Sequence, residues 1–65
     1  MLNEEAQDFW EKLKGRTIRI FLANGYKYEG TLLETGVGFI LIFDFVSKIQ
    51  KILRTEDVKD AVIVK

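Results

Sequence analysis

The run Phe39-Ile40-Leu41-Ile42-Phe43 constrains this chain most. It is far shorter than the roughly 20 residues a helix needs to cross a bilayer. Its β-branched and aromatic residues favour an extended strand. A strand apolar on both faces must be covered on both. The chain has 65 residues, neither Cys nor His, and 48% hydrophobic residues. A domain of this size buries only about 60% of the surface its unfolded form exposes, and small scaffolds usually need a disulfide, a metal or a partner. The composition excludes a disulfide framework and any Cys/His zinc site. Cover from an N-terminal helix or from a second copy of the chain is the natural solution, so the expectation is a homo-oligomer built from one domain, residues 1–65.

Around that run the periodicity changes once. Residues 3–14 have helical spacing, with Leu2, Ala6, Phe9 and Leu13 as a stripe that Trp10 widens. Asn3 is a suitable N-cap and Glu4 and Glu5 follow in the first turn. Lys12 and Lys14 fall in the last turn, and Gly15 is placed to end the helix in a left-handed conformation. From 16 to 64 the period is two. Ile18, Ile20 and Leu22 alternate with Thr17, Arg19 and Phe21, and Asn24-Gly25 is a strong hairpin signal. A second strand runs from about Tyr26 to Glu34, with Gly30 marking a sharp bend. Strands follow at 39–43, at 48–53 with Ile49 and Ile52-Leu53 as apolar anchors, and at 58–64. In the last, Val58, Asp60, Val62 and Val64 alternate with Lys59, Ala61 and Ile63. The fold class expected is mainly β: an N-terminal α-helix, then a five-stranded, strongly bent antiparallel sheet forming a small barrel. The last strand has no covering element after it, and edge pairing of strands four and five would close a ring.

The stretch Ile20-Phe21-Leu22-Ala23-Asn24-Gly25-Tyr26-Lys27-Tyr28-Glu29-Gly30-Thr31-Leu32 resembles the first motif of the Sm-like family, most closely its Hfq-type branch. A hydrophobic strand leads to Asn-Gly, an apolar residue and Lys, and then to a second Gly. With the helix before it and Phe39-Ile40-Leu41-Ile42 after it, the likeness covers nearly the whole chain. The family fold is a small SH3-like barrel assembled into hexameric or heptameric rings that bind RNA. The resemblance therefore implies an RNA-binding homo-oligomeric ring for single-stranded A/U-rich RNA, in post-transcriptional regulation. It also implies two sites. On the strand-one and hairpin face, the purine-binding positions are Phe21, Gly25, Tyr26 and Lys27. On the pore side, where the family holds uridines, only Gln7, Phe39 and Arg54 have counterparts. Gly36-Val37-Gly38-Phe39 lacks the Asp and polar residue usual there, and Arg54-Thr55-Glu56 replaces the Tyr-Lys-His of the branch.

Each of these residues also has an ordinary structural role open to it. Phe21 either stacks a base or packs under a neighbour. Tyr26 either stacks a base or supports the hairpin as a cross-strand aromatic. Lys27 contacts phosphate or is merely solvated, and Arg54 meets phosphate or pairs with Glu56 or Asp57. Ten basic and ten acidic residues give a net charge of zero, whereas phosphate binding usually shows a basic excess. Repetition of Lys27 around a ring would supply a positive annulus all the same. The alternative is a ring-forming scaffold or protein-interaction module that has lost RNA binding, and a third possibility is a monomeric SH3-like barrel. Catalysis is not expected. Ser47 is the only serine and has no base near it, and Gly36-Val37-Gly38 lacks the Lys and helix of a phosphate loop. No cofactor and no metal are implied. The first residues lack a signal-peptide core, so the expected location is cytoplasmic, without membrane association.

Overall fold

The computed structural model describes residues 4–64, and for residues 4–7 the backbone alone. Helix α1 (Glu4–Glu11) precedes β1 (Thr17–Leu22), β2 (Lys27–Gly36), β3 (Phe39–Asp44), β4 (Ile49–Arg54), a short 3₁₀ turn (Thr55–Asp57) and β5 (Val58–Ile63). The strands form one antiparallel sheet in the order β4-β3-β2-β1-β5. The fold is thus the expected mainly β arrangement, and β4 and β5 are its two edges. No helix among the described residues is long and apolar enough to cross a membrane.

The helix is shorter than the spacing predicts. It ends at Glu11 rather than residue 14, so Lys12 and Lys14 follow its last turn; Leu2 and the expected cap Asn3 lie outside the described residues. The backbone then tightens: Leu13 N–H donates to Trp10 O at 3.0 Å and Arg16 N–H to Leu13 O at 2.9 Å. Gly15 takes φ +82°, as expected of a helix-terminating glycine, and its N–H reaches Leu32 O at 2.8 Å. Ion pairs from Lys14 to Glu11 (3.6 Å) and Glu34 (3.5 Å), and a hydrogen bond from the Thr35 hydroxyl to Glu11, tie this turn to β2. The early stop also moves the packing stripe. Trp10 and Leu13 enter the core, whereas Phe9 stays 48% exposed, edge-on to Trp10.

The core is Trp10, Leu13, Ile18, Ile20, Leu22, Leu32, Ile40 and Ile42. The five of these with no exposure, Ile18, Ile20, Leu32, Ile40 and Ile42, each contribute roughly 1.5–3 kcal/mol by leaving water. Strand β1 alternates as expected: its even residues are buried, and Arg19 on the other face pairs with its register partner Glu29 at 3.1 Å. In β3, Ile40 and Ile42 are fully buried on one face, while Leu41 and Phe43 on the other are only half-covered by this chain.

Two irregularities bend the sheet. The β2–β3 register slips between Leu32 and Glu34, and the β1–β5 register slips at Lys59. At Gly30 the Phe43 carbonyl oxygen occupies the space of a side chain, so the strands cross more closely than any other residue permits. Several sequence expectations shift accordingly. Strand β2 runs on to Gly36. Lys48 does not open β4 but takes φ +63° in the preceding turn. Only Leu53 of the three expected anchors packs on the core; Ile49 and Ile52 are exposed. In β5 the extra residue Lys59 breaks the alternation, so Val58 sides with Ala61 and Ile63 against Asp60 and Val62.

Candidate nucleic-acid interface

The hairpin between β1 and β2 is built by local chemistry. Asn24 Oδ1 accepts from Tyr26 N–H at 3.0 Å, which fixes the turn from within. Gly25 takes φ +98°, a conformation that its lack of Cβ makes inexpensive. Leu22 N–H donates to Tyr26 O at 2.8 Å and closes the ladder. The result is a rigid tip that presents Tyr26 with 67% of its surface exposed, followed by exposed Lys27.

The four residues expected on this face are brought close together but on two sides of the tip. Phe21 and Lys27 are register partners, so they share the outer face of the sheet, and Phe21 is half-buried there. The β5 partner of Phe21 is Asp60, which places a carboxylate beside the same ring. Tyr26 and Lys27 also line a groove of about 290 Å³, together with Tyr28, Asp44 and Lys51. Among the described residues Lys27 makes no ion pair, so its charge is available to an anion.

The groove holds residues that periodicity did not single out. Its floor includes Tyr28, and Lys51 Nζ sits 5.0 Å from the centre of that ring. Lys51 is also 3.8 Å from Asp44 Oδ2. Asp44 is 3% exposed and fully engaged: Ser47 Oγ donates at 2.7 Å, and the N–H groups of Ser47 and Val46 donate at 3.3 and 3.4 Å. The Ser47 hydroxyl, then the backbone donors and Lys51, hold the Asp44 carboxyl below the ordinary aspartate range against the opposing effect of burial. The signal in the sequence was Asp44 three residues before Ser47, the spacing of a side-chain-capped turn.

The pore-side set is differently placed. Phe39 and Arg54 are register partners on β3 and β4, at the β2–β3 end of the sheet. Phe39 is 39% exposed, and its ring lies over Gly36 in the space a Cβ would need. Arg54 is bound to Glu56 at 3.4 Å and Asp57 at 3.3 Å, the pairing foreseen as its structural alternative. The side chain of Gln7 lies outside the described residues. No cluster of metal-ligating side chains occurs among the described residues.

No family model and no curated protein matches this sequence. Among solved structures it is similar to the crystal structure of Hfq, a pleiotropic translational regulator, with a TM-score of 0.80 over 92% of this chain and 100% of that one, at 13% sequence identity. Helix, strand order and bent sheet coincide over nearly the full length of both, and on that ground the chain has the Sm-like fold of Hfq.

Proposed function

We propose that this chain is an RNA-binding Sm-like protein, one domain over residues 1–65, that assembles into a homo-oligomeric ring through β4 and β5. Single-stranded A/U-rich RNA lies on its hairpin face. The observation that carries the RNA half is the tip itself: an exposed Tyr26 ring beside a lysine free of ion pairs, with Phe21 on the adjoining strand. Bases stack on such rings with about 1–3 kcal/mol each, and Lys27 supplies one phosphate contact per copy. Hfq, the structural neighbour, is a translational regulator, which supports a role in post-transcriptional regulation in the cytoplasm. The protein works by binding and not as an enzyme, and it needs no cofactor. Phe39 and Arg54 form a secondary, pore-side site with Gln7.

The assembly half rests on the two sheet edges. Ile52 on β4 is 69% exposed, and Val62 and Ile63 on β5 are 44% and 47% exposed, and among the described residues no strand pairs with the outer side of either edge. Exposed apolar edges of this kind are templates for pairing. A second reading, a ring-forming scaffold without RNA, is favoured by the charge balance: Arg19 and Arg54 are both neutralised by acidic neighbours.

A filter-binding titration with poly(A) and poly(U) at two salt concentrations separates the two. The RNA-binding protein binds at low salt, with the logarithm of affinity falling by about 0.7 for each phosphate contact per decade of salt. Tyr26→Ala weakens poly(A) binding roughly 5- to 150-fold, the loss of one stacked base, and leaves the mass in solution unchanged. Absence of binding at low salt leaves the scaffold.

A further inference from the structure

The β3–β4 turn, residues 45–48, carries apolar side chains where turns ordinarily carry polar ones. Val46 is 86% exposed, more than any other large apolar residue described, and Phe45 is 41% exposed. The turn is firmly held. The buried Asp44 carboxylate accepts from the N–H groups of Val46 and Ser47 and from the Ser47 hydroxyl. Lys48 N–H donates to Asp44 O at 2.7 Å. The Phe45 ring stands edge-on to Phe43, 6.2 Å between centres. Val46 is therefore a fixed, projecting apolar tip. Tyr26, 67% exposed on the neighbouring hairpin, lines the same groove and extends the apolar surface.

The free charges around this tip have one sign. Lys27 and Lys51 line the groove with Val46, and Lys48 follows in the turn. The one acidic residue that lines the groove is Asp44, 3% exposed, with its oxygens engaged by the turn and by Lys51. A chain of zero net charge thus gathers three lysines around one apolar tip. Lys48 takes φ +63°, which glycine adopts freely and other L-residues only at a cost. A lysine where glycine would be more stable points to a use for its charge.

These features select among occupants. Nucleic-acid bases stack on rings, and Val46 offers none. A second copy of the same tip would bring like charges together. An anionic lipid surface meets both features at once. Aliphatic and aromatic side chains enter the boundary between headgroups and acyl chains, where Tyr is favoured, and lysines lie against the phosphates. The fixed shape of the turn keeps the ordering cost of insertion low. The expectation of no membrane association concerns export and spanning segments, and contact through a turn tip needs neither.

We propose that the β3–β4 turn is a peripheral membrane-docking tip: Val46 and Phe45 enter an anionic lipid surface, with Tyr26 beside them and Lys27 and Lys48 against the headgroups. The inference stands apart from the RNA reading, since Val46 and Lys48 belong to neither RNA site. In a ring, cyclic symmetry sets every copy of the tip at one level along the axis, and the contacts add as avidity.

Vesicle co-sedimentation tests it, with phosphatidylcholine alone and with phosphatidylcholine mixed with phosphatidylserine, each at low and high salt. The wild-type protein sediments with the mixed vesicles at low salt, is released at high salt, and stays in solution with phosphatidylcholine alone. Val46→Asp weakens vesicle binding roughly tenfold or more, from the lost apolar burial alone, with poly(A) binding as in the wild type. Lys48→Gly weakens it about fivefold, the contribution of one lysine near an anionic surface, although the variant is the more stable protein; a folding defect cannot produce that pair of results. No sedimentation with mixed vesicles at low salt overturns the proposal, as does equal sedimentation with both compositions, which removes the lysines from it. Sedimentation that neither variant weakens places the contact elsewhere and overturns it too. Val46→Asp that loses poly(A) binding but keeps vesicle binding assigns the tip to RNA instead, and a lower mass of Val46→Asp in light scattering with vesicle binding kept assigns it to a second copy.

Discussion

Replacing Gly30 by alanine tests the physical basis of the bend. An ideal Cβ there falls inside the Phe43 carbonyl oxygen, 2.8 Å from the carbonyl carbon and 3.2 Å from Asp44 Cα. All three neighbours are backbone atoms, so no rotamer change relieves the overlap, and β2 and β3 must part. Overpacking in a filled interior costs about 1–3 kcal/mol, and backbone against backbone belongs at the upper end. Parting the strands also weakens the hydrogen-bonded pairs that flank Gly30 in the β2–β3 ladder, Glu29–Phe45 and Thr31–Phe43, at about 1 kcal/mol per hydrogen bond. The expected loss is about 3–4 kcal/mol. At roughly 0.05–0.15 kcal/mol per residue, that is a large share of what a chain of this length can have. Urea unfolding followed through Trp10, the only tryptophan and 8% exposed, measures it. Protein concentration must be held fixed, because assembly contributes to apparent stability. Gly38→Ala is the comparison: its φ is +85° but nothing lies within 4 Å of the added carbon, so it costs only the left-handed backbone, about 1–2 kcal/mol. A Gly30→Ala loss no larger than that of Gly38→Ala would refute close strand crossing as the reason for glycine.

Three further outcomes follow from single residues. Lys48 holds φ +63° in the β3–β4 turn, so Lys48→Gly raises stability by about 0.5–1 kcal/mol after the greater unfolded-state freedom of glycine is subtracted; an unchanged or lower urea midpoint contradicts this. The Asp44 carboxyl titrates below its unfolded value, mainly through the Ser47 hydroxyl. Its contribution is therefore complete above the ordinary aspartate pKa of about 3.9 and is lost as pH falls through the lower folded value. Asp44→Asn lowers stability at neutral pH and flattens the acid limb, Glu11 being left as the other lowered carboxyl among the described residues, held down by Thr35; an unaltered acid limb removes Asp44 from that role. Gly36→Ala displaces the Phe39 ring that lies over it, and weakens poly(U) binding with poly(A) binding unchanged, while equal effects on both would place Phe39 outside a separate site.

What the sequence made legible was local. Alternation of Ile18, Ile20 and Leu22, the Asn24-Gly25 turn, the bend at Gly30 and the strand order all rest on interactions between near neighbours or on a single residue's conformational range. The misplacements came from one-residue events that leave periodicity intact on either side. Lys59 is an ordinary lysine in sequence, yet as the bulged residue it carries Val58 to the core side. The helix stops at Glu11 because Gly15 and Lys14 are drawn to β2, and no helix-ending residue stands at position 12. The candidate site was visible where an exposed aromatic follows a turn, as at Tyr26. The groove beside it was not, since Tyr28, Asp44 and Lys51 meet only once two hairpins lie side by side. Apolar residues at a sheet edge, such as Ile49 and Ile52, look the same in sequence whether they face the chain's own interior or a second copy.

The mass of the protein in solution bears most directly on all of this. Light scattering at micromolar concentration should give a single species several times the 7.6 kDa of one chain, stable on dilution, with Ile52→Lys shifting it toward the monomer by placing a charge at the middle of the β4 edge. A well-folded wild-type species of 7.6 kDa would mean that the exposed strands need no partner, and would contradict the ring.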